Sequence, residues 1–199
     1  MTLAHFYHLY AAGAWEDPAR EHFEALDAAK YPGRVWVGLV GSPGRRSTTV
    51  RWLNRFEGYA AVCALQDEGW EQATLQKLYE YAQTHNGAVM YAHTKGAHNP
   101  AEINVGWRRY MTRHLVGRWE EALGLLDSVD MAGPCCVMPG DMPGVITPFF
   151  AGNFWMATCE YIRRLPPPGM ESRYDAEVWP GLASPSAASL APFTPGLWH

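Results

Sequence analysis

The chain has 199 residues, of which 48% are hydrophobic and 18% charged, so it can bury the core of one ordinary domain. Its 16 lysine and arginine residues against 20 aspartate and glutamate residues give a formal net charge of −4, which argues against a protein held to nucleic acid mainly by overall charge. No apolar run approaches the ~20 residues that span a bilayer, so we expect no transmembrane helix.

The first two thirds of the sequence alternate apolar runs with stretches of helical periodicity. The apolar runs predict strands at residues 3–11, 35–41, 59–65 and 88–96 and within 129–137. Between them, helices are predicted after Asp17-Pro18, around Trp52 and Phe56, over 69–85 and over 105–127. This alternation predicts an α/β fold with a single doubly wound, mostly parallel sheet.

After Pro139 this regularity ends. Residues 140–149 are predicted to form a loop and residues 153–165 a short aromatic-rich helix, which the prolines at 166–168 end. From Trp179 onward the chain is rich in proline, serine and alanine, which indicates an extended tail laid over the domain or over a partner. The sequence therefore predicts a domain over residues 1–180 and a tail over residues 181–199.

The cysteines and the amino terminus indicate the cellular compartment in which the protein is expected. The four cysteines form neither a CxxC pair nor a regular spacing, which favours free thiols over a disulfide framework or a zinc site. Free thiols are typical of a reducing compartment. The amino terminus lacks the basic region of a secretion signal, and we therefore expect a cytoplasmic protein.

Ligands of an open parallel sheet collect beyond the carboxyl ends of its strands. This rule nominates four loops, at residues 10–15, 41–46, 93–99 and 139–153. The loop at 41–46, which contains Ser42, can hold an anion at a helix start. It lacks the Walker pattern, so we do not expect a P-loop NTPase.

The most informative loop is His93-Thr94-Lys95-Gly96, which follows an apolar strand. Lys95 can neutralise phosphate oxygens, while Thr94 and the backbone can donate hydrogen bonds to them. The alternative interpretation is a solvated turn whose lysine has no ligand. His5 and His8 lack a third ligand nearby in the sequence, so no metal site is predicted there.

Two further segments carry candidate side chains. Aromatic residues on both sides of Gly152-Asn153 can line a sugar-binding wall, or they can belong to the core. Asn153 is hard to explain as core, because a buried amide needs hydrogen-bond partners. Glu177 is a candidate general base for an acceptor hydroxyl. The competing interpretation is a surface carboxylate paired with Arg173.

Taken together, these motifs resemble a specific family. The order Tyr7-His8-Leu9-Tyr10, YAHTKG at 91–96, Trp107-Arg108 and FFAGNFWMA at 149–157, followed by Arg173 and Glu177, is similar to small glycosyltransferases of bacterial polysaccharide loci and viruses. The resemblance covers about residues 5–180, and HTKG and GNFW carry it together. It implies a GT-A-like fold that combines a Rossmann-like nucleotide-binding half with an irregular acceptor half.

The resemblance implies a nucleotide-sugar donor, first of all a UDP-sugar, held at the carboxyl edge of the sheet. Tyr10, Ala11 and Gly13 would contact the nucleoside. Many GT-A enzymes bind Mn²⁺ or Mg²⁺ through a DxD motif at the end of the fourth strand, but this sequence contains no DxD. We expect that Lys95, helped by His93 and Thr94, offsets charge on the leaving diphosphate instead.

The acceptor side follows from the same resemblance. Gly152, Asn153, Trp155 and Arg173 would bind the sugar or the acceptor. Glu177 would be the base, with Asp141 as the alternative base. The acceptor is open between a glycan, a protein and a hydroxylated base in DNA.

Two other readings of the sequence compete with glycosyl transfer. One is a non-catalytic nucleotide- or sugar-binding domain that keeps the fold without the chemistry. The other is a phosphate-handling hydrolase, which is disfavoured because no nucleophilic aspartate or cysteine motif follows the first strand.

Overall fold

A computed structural model of the chain describes residues 2–97, 101–169, 172 and 174–193. In chain order the described elements are β1 (Leu3–Tyr10), α1 (Glu16–Ala28), β2 (Val35–Val40), α2 (Pro43–Leu53), β3 (Ala60–Gln66), α3 (Gln72–Thr84), β4 (Ala88–His93), α4 (Glu102–Leu115), α5 (Trp119–Leu125), β5 (Met131–Pro134), β6 (Cys136–Val137), β7 (Phe149–Phe150), β8 (Trp155–Thr158), α6 (Cys159–Arg164), α7 (Asp175–Val178) and β9 (Ala187–Ala191). Short 3-10 turns lie at Asn54–Phe56 and Trp179–Gly181. The longest of these helices, α4, has 14 residues. None of the described helices has the length and apolar character needed to cross a membrane.

The seven strands of the main sheet lie in the order β3-β2-β1-β4-β8-β5-β9. Strands β1 to β4 pair in parallel, β8 runs antiparallel to both of its neighbours, and β9 pairs in parallel with β5. The predicted fold class, an α/β domain with a doubly wound, mostly parallel sheet, is confirmed. A separate two-stranded sheet joins β6 to β7.

The main sheet separates two layers of helices. On one face α1, α2, α4 and α5 pack on a core that includes Tyr7 and Leu9. On the other face α3, α6 and α7 pack on a core that includes Phe6 and Tyr91. Alternate residues of β1 therefore enter opposite cores, which explains why this central strand is buried along nearly its whole length.

The helix predicted over residues 105–127 is two helices. α4 ends at Leu115 and α5 begins at Trp119. Between them, the Gly117 N–H bonds back to the Thr112 carbonyl at 3.1 Å, and Arg118 leaves the helical conformation at φ −128°. A side chain at position 117 would lie 2.5 Å from the Arg113 carbonyl oxygen, so this tight turn needs glycine.

The helix predicted over residues 153–165 is wrong in its first half. Trp155–Thr158 forms β8, which fills the gap between β4 and β5, and only Cys159–Arg164 is helical. Periodicity cannot separate a short, fully buried strand from a helical turn, and here pairing on both edges decides for the strand. Thr158 then caps α6, its hydroxyl accepting the Tyr161 N–H at 3.0 Å.

The segment predicted as an extended tail joins the sheet. Ala187–Ala191 pairs with β5, with Ala187 opposite Met131, and Trp179 is buried just before it. The extended conformation predicted for this region is found in β9, as the edge strand of the main sheet. Residues 194–199 lie outside the described part of the chain.

Helix α3 lies so close to the sheet that Gly38 of β2 has no room for a side chain. A Cβ atom at this position would lie 1.9 Å from the Thr74 hydroxyl and 2.8 Å from the Thr74 Cβ. We expect Gly38→Ala to lower the free energy of unfolding by about 1–3 kcal/mol, because overpacking forces the helix away from the strand. Urea denaturation measures this change.

Gly124→Ala is the matched control. Gly124 lies in α5, and no atom would lie within 4 Å of an added Cβ. Alanine should stabilise this helix by about 0.5–1 kcal/mol. Equal effects of the two substitutions would contradict the close approach of α3.

The core contains a hydrogen-bonded pair of buried histidines, His5 and His22, so the role of His5 is structural. Its Nδ1–H donates to the Met90 carbonyl at 3.1 Å, so its Nε2 accepts from the Nε2–H of His22 at 2.7 Å. His22 also stacks on Tyr7 at 4.2 Å. Burial lowers the pKa of His5 to about 4 and the pKa of His22 well below its ordinary value. Both rings are therefore neutral at pH 7.

We expect the folded protein to lose stability as the pH falls from about 6.5 towards 4. The pKa of His8, like that of His5, falls to about 4, mainly through burial, whereas the ordinary value is 6.5. In this window the unfolded chain binds protons that the folded chain does not, which costs up to ~1.4 kcal/mol per pH unit for each histidine. Urea denaturation at pH 7.5, 6.5, 5.5 and 4.5 measures the slope. A flat profile would show that these rings are not held neutral.

Candidate functional site

The carboxyl ends of β1 to β4 border a cleft with two lobes. The β1–β4 lobe has a volume of about 590 Å³ and is lined by His8, Tyr10, Gly69, Trp70, Glu71, residues 93–97, Asn104 and Glu177. The β2–β3 lobe has a volume of about 600 Å³ and is lined by residues 10–12, Gly41, Ser42, Arg45 and residues 67–70. Tyr10, Gly69 and Trp70 border both lobes, so the lobes are continuous.

This cleft lies where the chain reverses its direction of winding. From β1 the chain proceeds to β2 and then to β3 on one side, and it then crosses to β4 on the other side. Ligands of doubly wound sheets bind at such a switch point, outside the carboxyl ends of the strands. The β1–β4 lobe therefore lies where the topology itself leaves a crevice.

The β1–β4 lobe brings together several predicted site residues that are distant in the sequence. Tyr10 lies at the end of β1, and His93, Thr94 and Lys95 lie at the end of β4. Glu177 reaches the same lobe from α7. One cation and one carboxylate from the predicted set thus line one cavity.

Thr94 joins the ends of the two central strands. Its backbone N–H donates to the His8 carbonyl at 2.9 Å, and its hydroxyl accepts the Tyr10 N–H at 2.9 Å. The residue is only 5% exposed. We therefore assign the Thr94 hydroxyl to positioning the loop, while Gly96 turns the chain at φ +83°.

Lys95 is held against helix α4. Its ammonium nitrogen lies 4.0 Å from the centre of the Trp107 ring, a cation–π contact. Its backbone carbonyl accepts a hydrogen bond from Arg108 at 3.0 Å, and Arg108 pairs with Glu21 at 2.8 Å. These contacts give the lysine a fixed place at the border of the lobe.

Glu71 is the central residue of the site, and the sequence analysis missed it. Its Oε2 accepts hydrogen bonds from the Tyr91 hydroxyl at 2.7 Å and from Asn153 Nδ2 at 2.6 Å. Its Oε1 lies 3.4 Å from His93 Nδ1. Burial, followed by the Glu71 charge, raises the pKa of Tyr91 well above its ordinary value, so this hydroxyl remains a donor at neutral pH.

A signal for Glu71 was present in the sequence. Asp67, Glu68 and Glu71 directly follow the third strand, where the rule on carboxyl ends applies as it does to the other strands. The sequence analysis nominated the loops at residues 10–15, 41–46, 93–99 and 139–153 and left out this one. The structure shows that Asp67 and Glu68 line the β2–β3 lobe and that Glu71 lines the β1–β4 lobe.

His8 is the other lining residue that was set aside. Its Nδ1 lies 2.9 Å from the Thr74 hydroxyl on α3. Burial lowers its pKa to about 4, against a smaller opposing effect of Glu71. His8 is thus a neutral ring beside the more exposed His93, and the register of β1 and β4 sets the two histidines side by side.

The predicted sugar-binding wall is wrong. Asn153 is 1% exposed and Trp155 0% exposed, and neither lines the cleft. Trp155 stacks on Tyr91 at 5.3 Å and donates its indole N–H to Asn153 Oδ1 at 2.7 Å. Asn153 thereby finds the partners that a buried amide needs. These residues form the support behind the site instead of its surface.

Gly152 belongs to the same support. It is buried at φ +92°, and an added Cβ would lie 2.4 Å from the Met111 sulfur. Its carbonyl oxygen accepts a hydrogen bond from His93 Nε2 at 3.0 Å. Gly152 therefore acts on the cleft through His93, and its predicted contact with a ligand is wrong.

Two other predicted residues lie elsewhere, and a third is not among the residues that the structure describes. Asp141 is exposed in the loop after β6, where its carboxylate accepts the Met138 N–H at 2.7 Å, and it lines neither lobe. Gly13 lies in an exposed turn after β1, also outside the lining of both lobes. Arg173 lies outside the described residues.

The β2–β3 lobe has a different character. Tyr10, Ala11 and Ser42 of the predicted donor site line it, together with Arg45. Ser42 precedes the first turn of α2 and makes no side-chain cap to it. Trp70, 48% exposed, presents a flat apolar surface between the two lobes. Such a lobe suits a planar ring with polar groups at its edge.

The resemblance associates a divalent metal ion with this edge of the sheet. Within the described ranges, no group of three or more histidine, cysteine, aspartate or glutamate side chains has an arrangement that could hold a metal ion.

Comparison with known protein families finds one family that matches nearly the whole chain. Residues 6–181 match the family described as "Domain of unknown function (DUF8361)". The chain belongs to this family. None of the curated proteins matches this DUF8361 chain. Among solved structures it is similar to 4-diphosphocytidyl-2C-methyl-D-erythritolsynthase from Anaerococcus prevotii DSM 20548, at 7% identity and a TM-score of 0.46, over 81% of this chain and 71% of that one.

We expect Asn153→Asp to destabilise the DUF8361 domain strongly at neutral pH. Aspartate tolerates the left-handed conformation at φ +57°. It would replace the Nδ2 donor, 2.6 Å from the Glu71 carboxylate, with a second carboxylate oxygen. The free energy of unfolding should fall by about 3–5 kcal/mol, as for other uncompensated buried charges.

The loss should be smaller at pH 5 than at pH 8, because a shared proton relieves the repulsion between two carboxylates. Urea denaturation at both pH values measures it. Asn86→Asp, at an exposed position beside Arg163, is the control and should leave stability nearly unchanged. A pH-independent loss in Asn153→Asp would contradict the contact with Glu71.

Proposed function

We propose that the protein is a glycosyltransferase that moves a sugar from a nucleotide-sugar donor to an acceptor hydroxyl. The observation that carries this proposal is the β1–β4 lobe, where Lys95 and Glu177 border one cavity at the switch point of the sheet. Glycosyl transfer to a hydroxyl needs these two kinds of group, a cation beside the leaving phosphates and a carboxylate beside the attacking hydroxyl.

The two lobes together suit a nucleotide sugar. The volumes of about 590 and 600 Å³ both fall within the range of ~300–1,000 Å³ that is typical of small-molecule sites. In our proposal the base and ribose occupy the β2–β3 lobe, beside Tyr10, Ala11, Ser42 and Trp70. The diphosphate and sugar occupy the β1–β4 lobe. A UDP-sugar is the first donor to test.

The proposed reaction is a single displacement. The acceptor oxygen forms a bond to the anomeric carbon while the bond from that carbon to the diphosphate oxygen breaks. The Glu177 carboxylate takes the proton of the acceptor hydroxyl, and the bonding electron pair leaves with the diphosphate. Lys95 stabilises the negative charge that develops on the leaving oxygen.

No step of this scheme runs through a metal ion. The resemblance associates Mn²⁺ or Mg²⁺ with a DxD motif, and this sequence has no such motif. The side chains at the end of β4 are His93, Thr94 and Lys95, and an ammonium group is not a metal ligand. The donor set at this position does not fit the expected metal.

The charge of the arginine-rich face of α4 helps to choose between the possible acceptors. Arg108 and Arg109 both pair with Glu21, and Arg118, after the helix, pairs with Glu121. The carboxylates of Glu21 and Glu121 therefore offset part of the positive charge that Arg108, Arg109, Arg113 and Arg118 give this face. Together with the net charge of −4, this favours a glycan or protein hydroxyl over a hydroxylated base in DNA as the acceptor.

A thermal-shift series tests the donor site. UDP-, GDP-, dTDP- and CMP-sugars are each added with Mn²⁺ and with EDTA. One nucleotide family should raise the unfolding temperature by mass action, and the rise should persist in EDTA. Stabilisation that vanishes in EDTA would contradict the role given to Lys95, and no response to any donor would contradict the proposed function.

Two variants separate binding from transfer. Lys95→Met should weaken the response to the donor and reduce turnover by about 10²–10³-fold. Glu177→Gln should keep the response and reduce turnover by about 10²–10⁴-fold. Lys77→Met, at an exposed lysine paired with Glu80 on α3, is the control and should change neither. Donor binding without turnover of any acceptor would favour the non-catalytic binding domain.

A further inference from the structure

Exposed apolar side chains gather in two segments of the chain. Among the residues that the structure describes, nine large apolar side chains are exposed, and six of these lie in the loop at 138–146 and the helical stretch at 174–182. We call these six the apolar patch: Met138, Met142, Ile146, Tyr174, Val178 and Leu182. A group of exposed apolar side chains of this kind marks a surface that contacts another molecule.

Three members of the apolar patch form a stripe along the helical stretch. Helix α7 continues into the 3-10 turn that follows it, and Tyr174 and Leu182, at the two ends, also have helical backbone angles. Tyr174, Val178 and Leu182 are four positions apart, a spacing that places side chains on the same side of a helix. Ala176 and Trp179, which lie between them in the sequence, are buried. The stretch is therefore apolar on its exposed side as well as on its buried side.

The loop at 138–146 adjoins one end of this stripe. Gly181 lies so close to the loop that an added Cβ would overlap the Pro148 carbonyl oxygen and lie 3.1 Å from the Thr147 hydroxyl. Leu182 follows Gly181, and Ile146, which is 86% exposed, precedes Thr147. The exposed side chains of the loop and of the helical stretch thus belong to two segments that contact each other.

The stripe also lies beside the carboxylate proposed as the base. Glu177 belongs to the same helix as Val178, and it lines the β1–β4 lobe. An acceptor whose hydroxyl reaches Glu177 leaves the lobe past α7, so its remaining parts lie near the stripe. The apolar patch is therefore continuous with the acceptor end of the proposed site.

The chemistry of the patch distinguishes a protein acceptor from a glycan. The hydroxyl groups of a glycan need hydrogen-bond partners, and aliphatic side chains provide none. A polypeptide can bury its own apolar side chains there, and methionine and tyrosine are enriched in protein interfaces. The charged residues of segments 138–148 and 174–182 are Asp141, Asp175 and Glu177, which are all acidic. A complementary partner therefore combines apolar side chains with lysine or arginine.

We propose that the apolar patch binds the acceptor, and that this acceptor is a polypeptide whose serine or threonine hydroxyl lies among apolar and basic side chains. The inference rests on the proposed function, because it names the acceptor of that reaction. The serine or threonine oxygen forms the bond to the anomeric carbon, and its proton passes to Glu177. The diphosphate leaves with the electron pair of the bond that breaks.

Leu182→Ser tests this inference, and Leu65→Ser is its matched control. Leu182 is 50% exposed within the patch, whereas Leu65 is 54% exposed on the edge strand β3, outside the patch. Both substitutions remove a half-exposed leucine, so they should change the unfolding temperature to the same small extent. Ile146→Ser is a second test at the most exposed position of the patch.

The readout is the binding of labelled peptides, measured by fluorescence anisotropy without any donor. Each peptide contains one serine, surrounded by leucine and lysine in the first peptide, by leucine and glutamate in the second, and by asparagine and lysine in the third. The first peptide should bind most tightly. Leu182→Ser and Ile146→Ser should each weaken this binding about threefold to tenfold, as expected for the loss of buried apolar area. Leu65→Ser should leave it unchanged.

Transfer of the sugar to the first peptide is measured with the donor that the thermal-shift series identifies. Turnover at low peptide concentration should fall in Leu182→Ser and Ile146→Ser by the same factor as peptide affinity. The response to the donor alone should stay at the native level in both variants, because neither side chain lines the two lobes.

The outcomes separate this inference from the proposed function. Equal affinity for the three peptides, or native affinity in both patch variants, would overturn the inference whether or not a donor binds. Transfer to a free glycan such as lactose, at a rate that the patch variants do not alter and with no transfer to any peptide, would also overturn it, while the proposed function would stand.

Two other occupants of the patch are tested in the same variants. Binding to phosphatidylcholine vesicles that Leu182→Ser abolishes would assign the patch to a membrane surface, and self-association that it abolishes would assign the patch to a second copy of the chain. Either result would contradict the inference. Patch-dependent peptide binding in a protein that no donor stabilises would support a polypeptide-binding surface and remove the proposed function.

Discussion

Strand β1 pairs in parallel with β2 on one side and with β4 on the other, and the candidate site depends on this double pairing. Because the chain leaves β1 towards one side and later crosses to the other, the ends of β1 and β4 border a crevice that no connection fills. Thr94 then ties these two ends together through the backbone of His8 and Tyr10. The position of Lys95 follows from this tie.

At the crevice, the protein holds the Glu71 carboxylate with only 16% of its side chain exposed. A buried charge is costly unless hydrogen bonds and an opposite charge compensate it. Glu71 obtains hydrogen bonds from Tyr91 and Asn153, and its Oε1 lies 3.4 Å from His93 Nδ1. Asn153 reaches it from a left-handed turn at φ +57°, which asparagine tolerates better than most residues. The aromatic cluster of the sequence thus supports a polar site without lining it.

Much of the fold could be predicted because the first four strands are apolar runs flanked by helices with one apolar face. Their bounds agree with the prediction to within a few residues. The prediction failed where local sequence carries no deciding signal. Trp155, Met156 and Ala157 form an apolar run too short to show a period, so pairing with β4 and β5 determines its conformation. Strand β9 forms by pairing with the other edge of β5.

For the site, the sequence by itself determined which loop carries the cation. Lys95 directly follows a buried strand. Any residue that follows a parallel strand lies at the carboxyl edge of the sheet, so its place can be predicted from the local sequence. Only the tertiary structure decided that Glu71, Asn153 and Trp155 act together. Glu71 and Asn153 are 82 positions apart, and a buried hydrogen bond of this kind depends on the packing of separate elements, which no local pattern encodes.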